Sequence, residues 1–129
     1  MAPHILIIDD DTSVLEMMDC AVRGEGYRVT TSLIAFEDPQ DVEQLHPDLI
    51  ILDFKMRGKK TGWTFLQRVR LHPPTATIPV FICTAALSDV HEKEDVLRKK
   101  GVPVLYKPFS LDELLQFIQA CLLQQLSSL

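Results

Sequence analysis

Four short apolar runs end in polar side chains whose types suit phosphoryl chemistry. Asp53 closes LIIL, Asp9 and Asp10 close HILII, Thr84 closes PVFIC, and Lys107 closes VPVLY. Three carboxylates gathered within a few ångströms repel one another unless they are protonated or share a cation. Oxygen-only ligation by few protein groups is the usual way Mg²⁺ is held, often beside a phosphate. A hydroxyl and an ammonium at the same place would donate to and neutralise phosphoryl oxygens, leaving a carboxylate as nucleophile. Each group alone has a plainer reading. Asp9 to Asp11 suit a solvated helix start, Thr84 a strand-end hydroxyl bonded to backbone, and Lys107 a turn lysine. The chemistry is argued from their convergence.

That convergence needs a parallel sheet, because ligands gather at the carboxyl edge of its strands. Leu49 to Leu52 show no polar alternation, as expected for a central strand buried on both faces. The other strands are expected over residues 4–8, 27–31, 78–83 and 102–106. Between them fall five helices. The first is capped by Thr12 or Ser13, carries Val14, Leu15, Met18, Ala21 and Val22 at helical spacing, and is closed by Gly24 and Gly26. A short second helix runs from Pro39 through Val42 and Leu45 to the stop at His46-Pro47. Gly62 leads into a third with Trp63, Phe65, Leu66, Val69 and Leu71, stopped near Pro73-Pro74. A charged helix follows over about 88–100, stopped by Gly101. Lys107-Pro108 is an X-Pro bond and so a candidate for the cis form. The last helix opens with a capping box of Ser110 and Glu113, and Leu111, Leu114, Leu115, Ile118 and Leu122 form its core stripe. Phe117 and Leu123 fall outside that stripe, so Phe117 is expected on a surface for self-association or a partner. Strands alternating with helices mean an α/β fold whose parallel sheet is covered on both faces.

The length of 129 residues suits one domain over 1–129, with nothing left over for a second. A net charge of −5 argues against a direct nucleic-acid surface. Cys20, Cys83 and Cys121 are odd in number and lack metal-type spacing, which favours reduced thiols and a cytoplasmic setting. No apolar run reaches membrane-spanning length, and MAPHILIIDD is too short and too acidic for a signal peptide.

From about His4 to Leu126 the chain resembles a receiver domain of the two-component response regulators. The motifs are IIDDD after the first strand, LIILD before a basic loop, Cys83-Thr84-Ala85, and Lys107-Pro108-Phe109. The resemblance implies a flavodoxin-like (βα)5 three-layer sandwich, strand order 2-1-3-4-5. It implies that Asp53 is the phospho-acceptor, that Asp10 binds Mg²⁺ directly and Asp9 through water, and that Lys55 offers its backbone carbonyl to the metal. Thr84 and Lys107 would contact the phosphoryl group. The implied donor is a histidine kinase or phosphotransfer protein. An output partner or a homodimer through the last helix is the implied form of signalling, without a membrane. The chain would then be a switch rather than a metabolic enzyme.

Three departures stand out. Arg57 replaces the usual proline in a loop made basic by Lys55, Arg57, Lys59 and Lys60, and Gly62 comes one residue later than in most receivers. Val104 occupies a position that is usually aromatic; Tyr106, next to Lys107, is expected to face away from that lysine. Two rival readings remain. One is a pseudo-receiver, a binding module that is never phosphorylated. The other is a haloacid-dehalogenase-type phosphatase with Asp9 as nucleophile of a D-x-D pattern.

Overall fold

Along each strand, alternate side chains enter opposite faces of one sheet, and both faces are apolar. On one face Leu6, Ile8, Ile50, Leu52, Val80 and Ile82 form a core with Val42, Phe65, Leu66, Val69 and Leu97. On the other, Ile5, Ile7, Leu49, Ile51, Phe81, Cys83 and Leu105 meet Leu15, Met18, Val22, Leu114, Ile118 and Cys121. This is the double burial expected of a parallel sheet with helices on both sides. The computed structural model describes residues 2–54, 61–85 and 95–127. The strands are β1 (His4–Ile8), β2 (Arg28–Ser32), β3 (Leu49–Leu52), β4 (Val80–Thr84) and β5 (Val104–Tyr106). They pair in parallel in the order β2-β1-β3-β4-β5, the flavodoxin-like order.

The helices are α1 (Thr12–Gly24), α2 (Pro39–Leu45), α3 (Thr61–Leu71), a segment α4 described over 95–99, and α5 (Leu111–Ser127). α1 and α5 cover one face; α2, α3 and α4 cover the other. Among the described residues no helix is long and apolar enough to cross a membrane.

Several boundaries moved for identifiable reasons. The cap of α1 is Asp11, not Thr12 or Ser13: its Oδ1 accepts the amides of Ser13 and Val14 at 2.9 and 3.3 Å. β4 begins at Val80 rather than at 78, because Ile78 turns back to donate to the Thr75 carbonyl and Pro79 has no amide to give. β5 loses its first two expected residues likewise: Val102 donates to Leu97, and Pro103 cannot donate at all. β2 runs one residue later than expected, with Arg28 opposite His4 and Ser32 opposite Ile8. The helix expected over 88–100 is described from 95, and its close at Gly101 stands, where φ is +69°. His46, left-handed at φ 50°, ends α2 as expected.

The last helix needs the largest revision. The capping box forms, with Ser110 and Glu113 each accepting the other's amide at 3.1 Å. Leu111, however, is 45% exposed, and Cys121 takes its place in the core stripe. Phe117 is half-buried and packs edge-on to Phe81, with ring centroids 5.4 Å apart. It belongs to the core margin, not to an open partner surface.

Candidate functional site

The ladder continues one step past β1, β3 and β5, and this step delivers the polar groups to one edge. Asp9 donates its amide to the Ser32 carbonyl at 3.1 Å, Asp53 to Ile8 at 2.9 Å, and Lys107 to Thr84 at 3.0 Å. Thr84 is itself the last residue of β4 and fully buried. Asp9 and Asp53 are nearly buried, at 2% and 7% exposure, while Asp10 is intermediate. Asp9, Asp10 and Asp53 each offer a carboxylate oxygen, all within 4.8 Å of one another.

Lys107 follows β5 across a cis bond to Pro108. Its ammonium lies 2.6 Å from Asp9 Oδ2 and 3.5 Å from Asp53 Oδ2. The stronger contact is therefore with Asp9, whose other oxygen accepts the Asp11 amide at 3.0 Å. Burial by itself would lower the lysine's pKa. The hydrogen bond to Asp9 and the charges of Asp53, Asp9 and Cys83 outweigh it, so the ammonium titrates above its ordinary range. Beneath the site, burial pushes the Cys83 thiol up to about 12; Lys107 opposes that shift while Asp9 and Asp53 add to it.

One lysine facing three carboxylates leaves negative charge to be balanced, which a small oxygen-seeking cation would supply. The structure thus gathers Asp9, Asp10, Asp53 and Lys107, and sets Thr84 on the neighbouring strand end. Lys55 and the basic loop with Arg57, Lys59 and Lys60 lie outside the described residues.

The family model of the response regulator receiver domain matches residues 5–119. The chain belongs to that family. Phosphorylation of an aspartate in a two-component system is the function of receiver domains, which bind Mg²⁺ in an acidic pocket and interact with histidine kinases or phosphotransfer proteins. The chain is 36% identical over 120 residues to the DNA-binding dual master transcriptional regulator RpaA of Synechocystis sp., covering 93% of this chain and 49% of that protein. It spans about half the length of such curated relatives. A CheY-like receiver domain protein from Methanospirillum hungatei is similar over 99% of both chains, with a TM-score of 0.85 and 25% identity. The receiver domain of the sensor histidine kinase PA1611 from Pseudomonas aeruginosa shares the fold at 21% identity and a TM-score of 0.79, over 95% of this chain and 98% of its own. That structure has a magnesium ion coordinated in its active site cleft.

Two contacts beside Asp53 leave little trace in the sequence. Phe54, directly after Asp53, turns into the core and meets Trp63 edge-on at 6.0 Å between ring centroids. Gly62 lies against the backbone of Asp53 and Phe54. The only sequence signal for the second contact is a glycine in the first turn of a helix, where alanine would be the better helix former.

Proposed function

We propose that this receiver domain accepts a phosphoryl group on Asp53, in an Mg²⁺-dependent transfer from a phosphohistidine of a histidine kinase or phosphotransfer protein. The observation carrying this reading is the buried Asp53 carboxylate, with the Lys107 ammonium at 3.5 Å and the oxygens of Asp9 and Asp10 within 4.8 Å. A carboxylate oxygen of Asp53 attacks phosphorus, the P–N bond breaks, and the imidazole leaves with the bonding pair and takes up a proton. Lys107 neutralises charge on the phosphoryl oxygens, and the Thr84 hydroxyl donates to one of them. Asp9, Asp10, Asp53 and the Lys55 backbone carbonyl would hold the metal, Asp10 directly and Asp9 through water. Mg²⁺ held there supplies positive charge where phosphoryl oxygens gather.

The aspartyl phosphate is then lost slowly to water, so the protein is a switch rather than a metabolic enzyme. Its signal passes to an output partner, by way of the last helix or a homodimer, with no membrane and no direct nucleic-acid contact by this domain. The setting is cytoplasmic, in keeping with three free cysteines. Acetyl phosphate with Mg²⁺ should place one phosphoryl group on Asp53, and Asp53→Asn should take up none. Label on Asp9 would instead favour the haloacid-dehalogenase-type reading, and no label at all a pseudo-receiver.

A further inference from the structure

We infer that Gly62 is a positioning residue for Asp53. Lacking a side chain, it lets the first turn of α3 press directly on the backbone that carries the acceptor carboxylate. The inference rests on Asp53 being the acceptor. A Cβ at Gly62 would lie 2.6 Å from the Phe54 carbonyl oxygen, 2.8 Å from Phe54 Cα and 2.9 Å from the Asp53 carbonyl oxygen. All three are backbone atoms, so none can swing aside as a side-chain tip would. Reaching ordinary contact at 3.4 Å requires the two segments to part by about 0.8 Å.

Neither segment is loose. The Asp53 amide is held by the Ile8 carbonyl at 2.9 Å, and Phe54 is only 4% exposed. On the other side, Phe65, Leu66 and Val69 anchor α3 in the core. Arg68 donates to the Glu37 carbonyl at 3.0 Å and Arg70 to the Ile78 carbonyl at 2.7 Å. Helix propensity runs the other way, since alanine in a helix interior is favoured over glycine by about 1 kcal/mol. Gly24, by contrast, has nothing within 4 Å of where its Cβ would stand. The close approach, not helix formation, explains a glycine at 62. A displacement of this size at a reacting group costs about 100-fold in rate at the upper end.

The test compares acetyl phosphate labelling rates, with Mg²⁺, of the full chain and of Gly62→Ala, Gly24→Ala and Val69→Ala. Melting temperatures and the ¹³C signal of the Asp53 carboxylate are recorded for each. Val69→Ala controls for stability, because it opens a cavity in the same helix away from Asp53; Gly24→Ala controls for the substitution itself. The inference expects labelling of Gly62→Ala to fall roughly 10- to 100-fold with a displaced Asp53 signal, while the two controls stay within about twofold. A Gly62→Ala rate within twofold of the parent overturns it. So does an equal loss in Val69→Ala at a comparable fall in melting temperature. Should Gly62→Ala fail to fold, the unsubstituted chain decides: its Gly62 and Trp63 amide signals must shift when beryllofluoride and Mg²⁺ are added, and unmoved signals overturn the inference. A parent that labels elsewhere than Asp53 fails at the acceptor itself, an outcome visible before any Gly62 variant is made.

Discussion

Replacing Lys107 with methionine keeps the aliphatic stem and removes the one cation that the described residues place among Asp9, Asp10 and Asp53. Coulomb's law at an effective dielectric of about 20 gives roughly 6 kcal/mol at 2.6 Å and roughly 5 kcal/mol at 3.5 Å, before desolvation. Desolvation of the ammonium and the two buried carboxylates cancels most of that gross attraction. Losing one partner of a buried pair costs about 3–5 kcal/mol, and the 19% exposure of the Lys107 side chain favours the lower end. The expected loss in metal-free buffer at pH 7 is therefore about 3 kcal/mol, or a fall in Tm of roughly 10 °C. In the parent, the raised Lys107 pKa makes its contribution complete below the unfolded value of 10.5 and lost only as pH rises through the folded value. The parent thus owes no neutral-to-acid slope to this lysine. Mg²⁺ at about 100 times its dissociation constant should restore up to about 2.7 kcal/mol, and restore more in the variant than in the parent. Urea unfolding with EDTA or Mg²⁺, at pH 7 and pH 5, measures each quantity. A variant within about 0.5 kcal/mol of the parent in EDTA at pH 7 would refute the reasoning, since surface changes rarely exceed that.

The remaining predictions separate neighbouring residues by role. Asp11→Ala should cost about 1 kcal/mol through loss of the α1 cap while leaving Mg²⁺ affinity unchanged, and Asp10→Ala should do the reverse; urea unfolding beside calorimetric Mg²⁺ titration tells them apart, and equal metal losses would contradict the assignment. Phe117→Ser should lower stability by about 2–3 kcal/mol by removing a ring packed on Phe81, with sedimentation unchanged. A fully stable variant with altered sedimentation would return Phe117 to the surface. Alkylation of the folded protein at pH 8 should modify Cys20, which is exposed, and spare Cys83 and Cys121, whose thiols burial shields and shifts upward. Peptide mapping by mass spectrometry reads this directly, and early label on Cys83 would mean the core beneath the site opens readily.

How much was legible in the chain depends on the range of the interaction involved. Apolar run length and the residues closing each run identified five parallel strands and the carboxyl edge, because burial on two faces and period-2 geometry are local properties. The capping box of Ser110 and Glu113 is likewise a contact between near neighbours. Hydrophobicity continues through Pro79 and Pro103 and so carries the expected strand starts back to 78 and 102, whereas ladder bonding requires amides that are absent or already spent. The His4 ring shows the other limit. It bonds the Leu45 carbonyl and the Thr30 hydroxyl, partners 41 and 26 residues away that no local pattern reveals. The preference of Lys107 for Asp9, 98 residues distant, is of the same kind.

Strand five joins these two lessons. From sequence, Val104 leaves the usual aromatic position without a ring. Alternation correctly turns Tyr106 away from the Lys107 side, but alternation also puts residues 104 and 106 on one face. Both pack against the same core cluster, while Leu105 enters the other. The β4–β5 register then sets Ile82 opposite Val104 and Thr84 opposite Tyr106. The face therefore keeps its ring, moved two residues along the strand to the level of Thr84. Tyr106 is thus in register with Thr84, whereas Val104, stiff at its branched β-carbon, stands opposite Ile82 two residues earlier along the strand. On this face the ring beside Thr84 belongs to Tyr106, so a valine at 104 does not leave β5 without an aromatic side chain there.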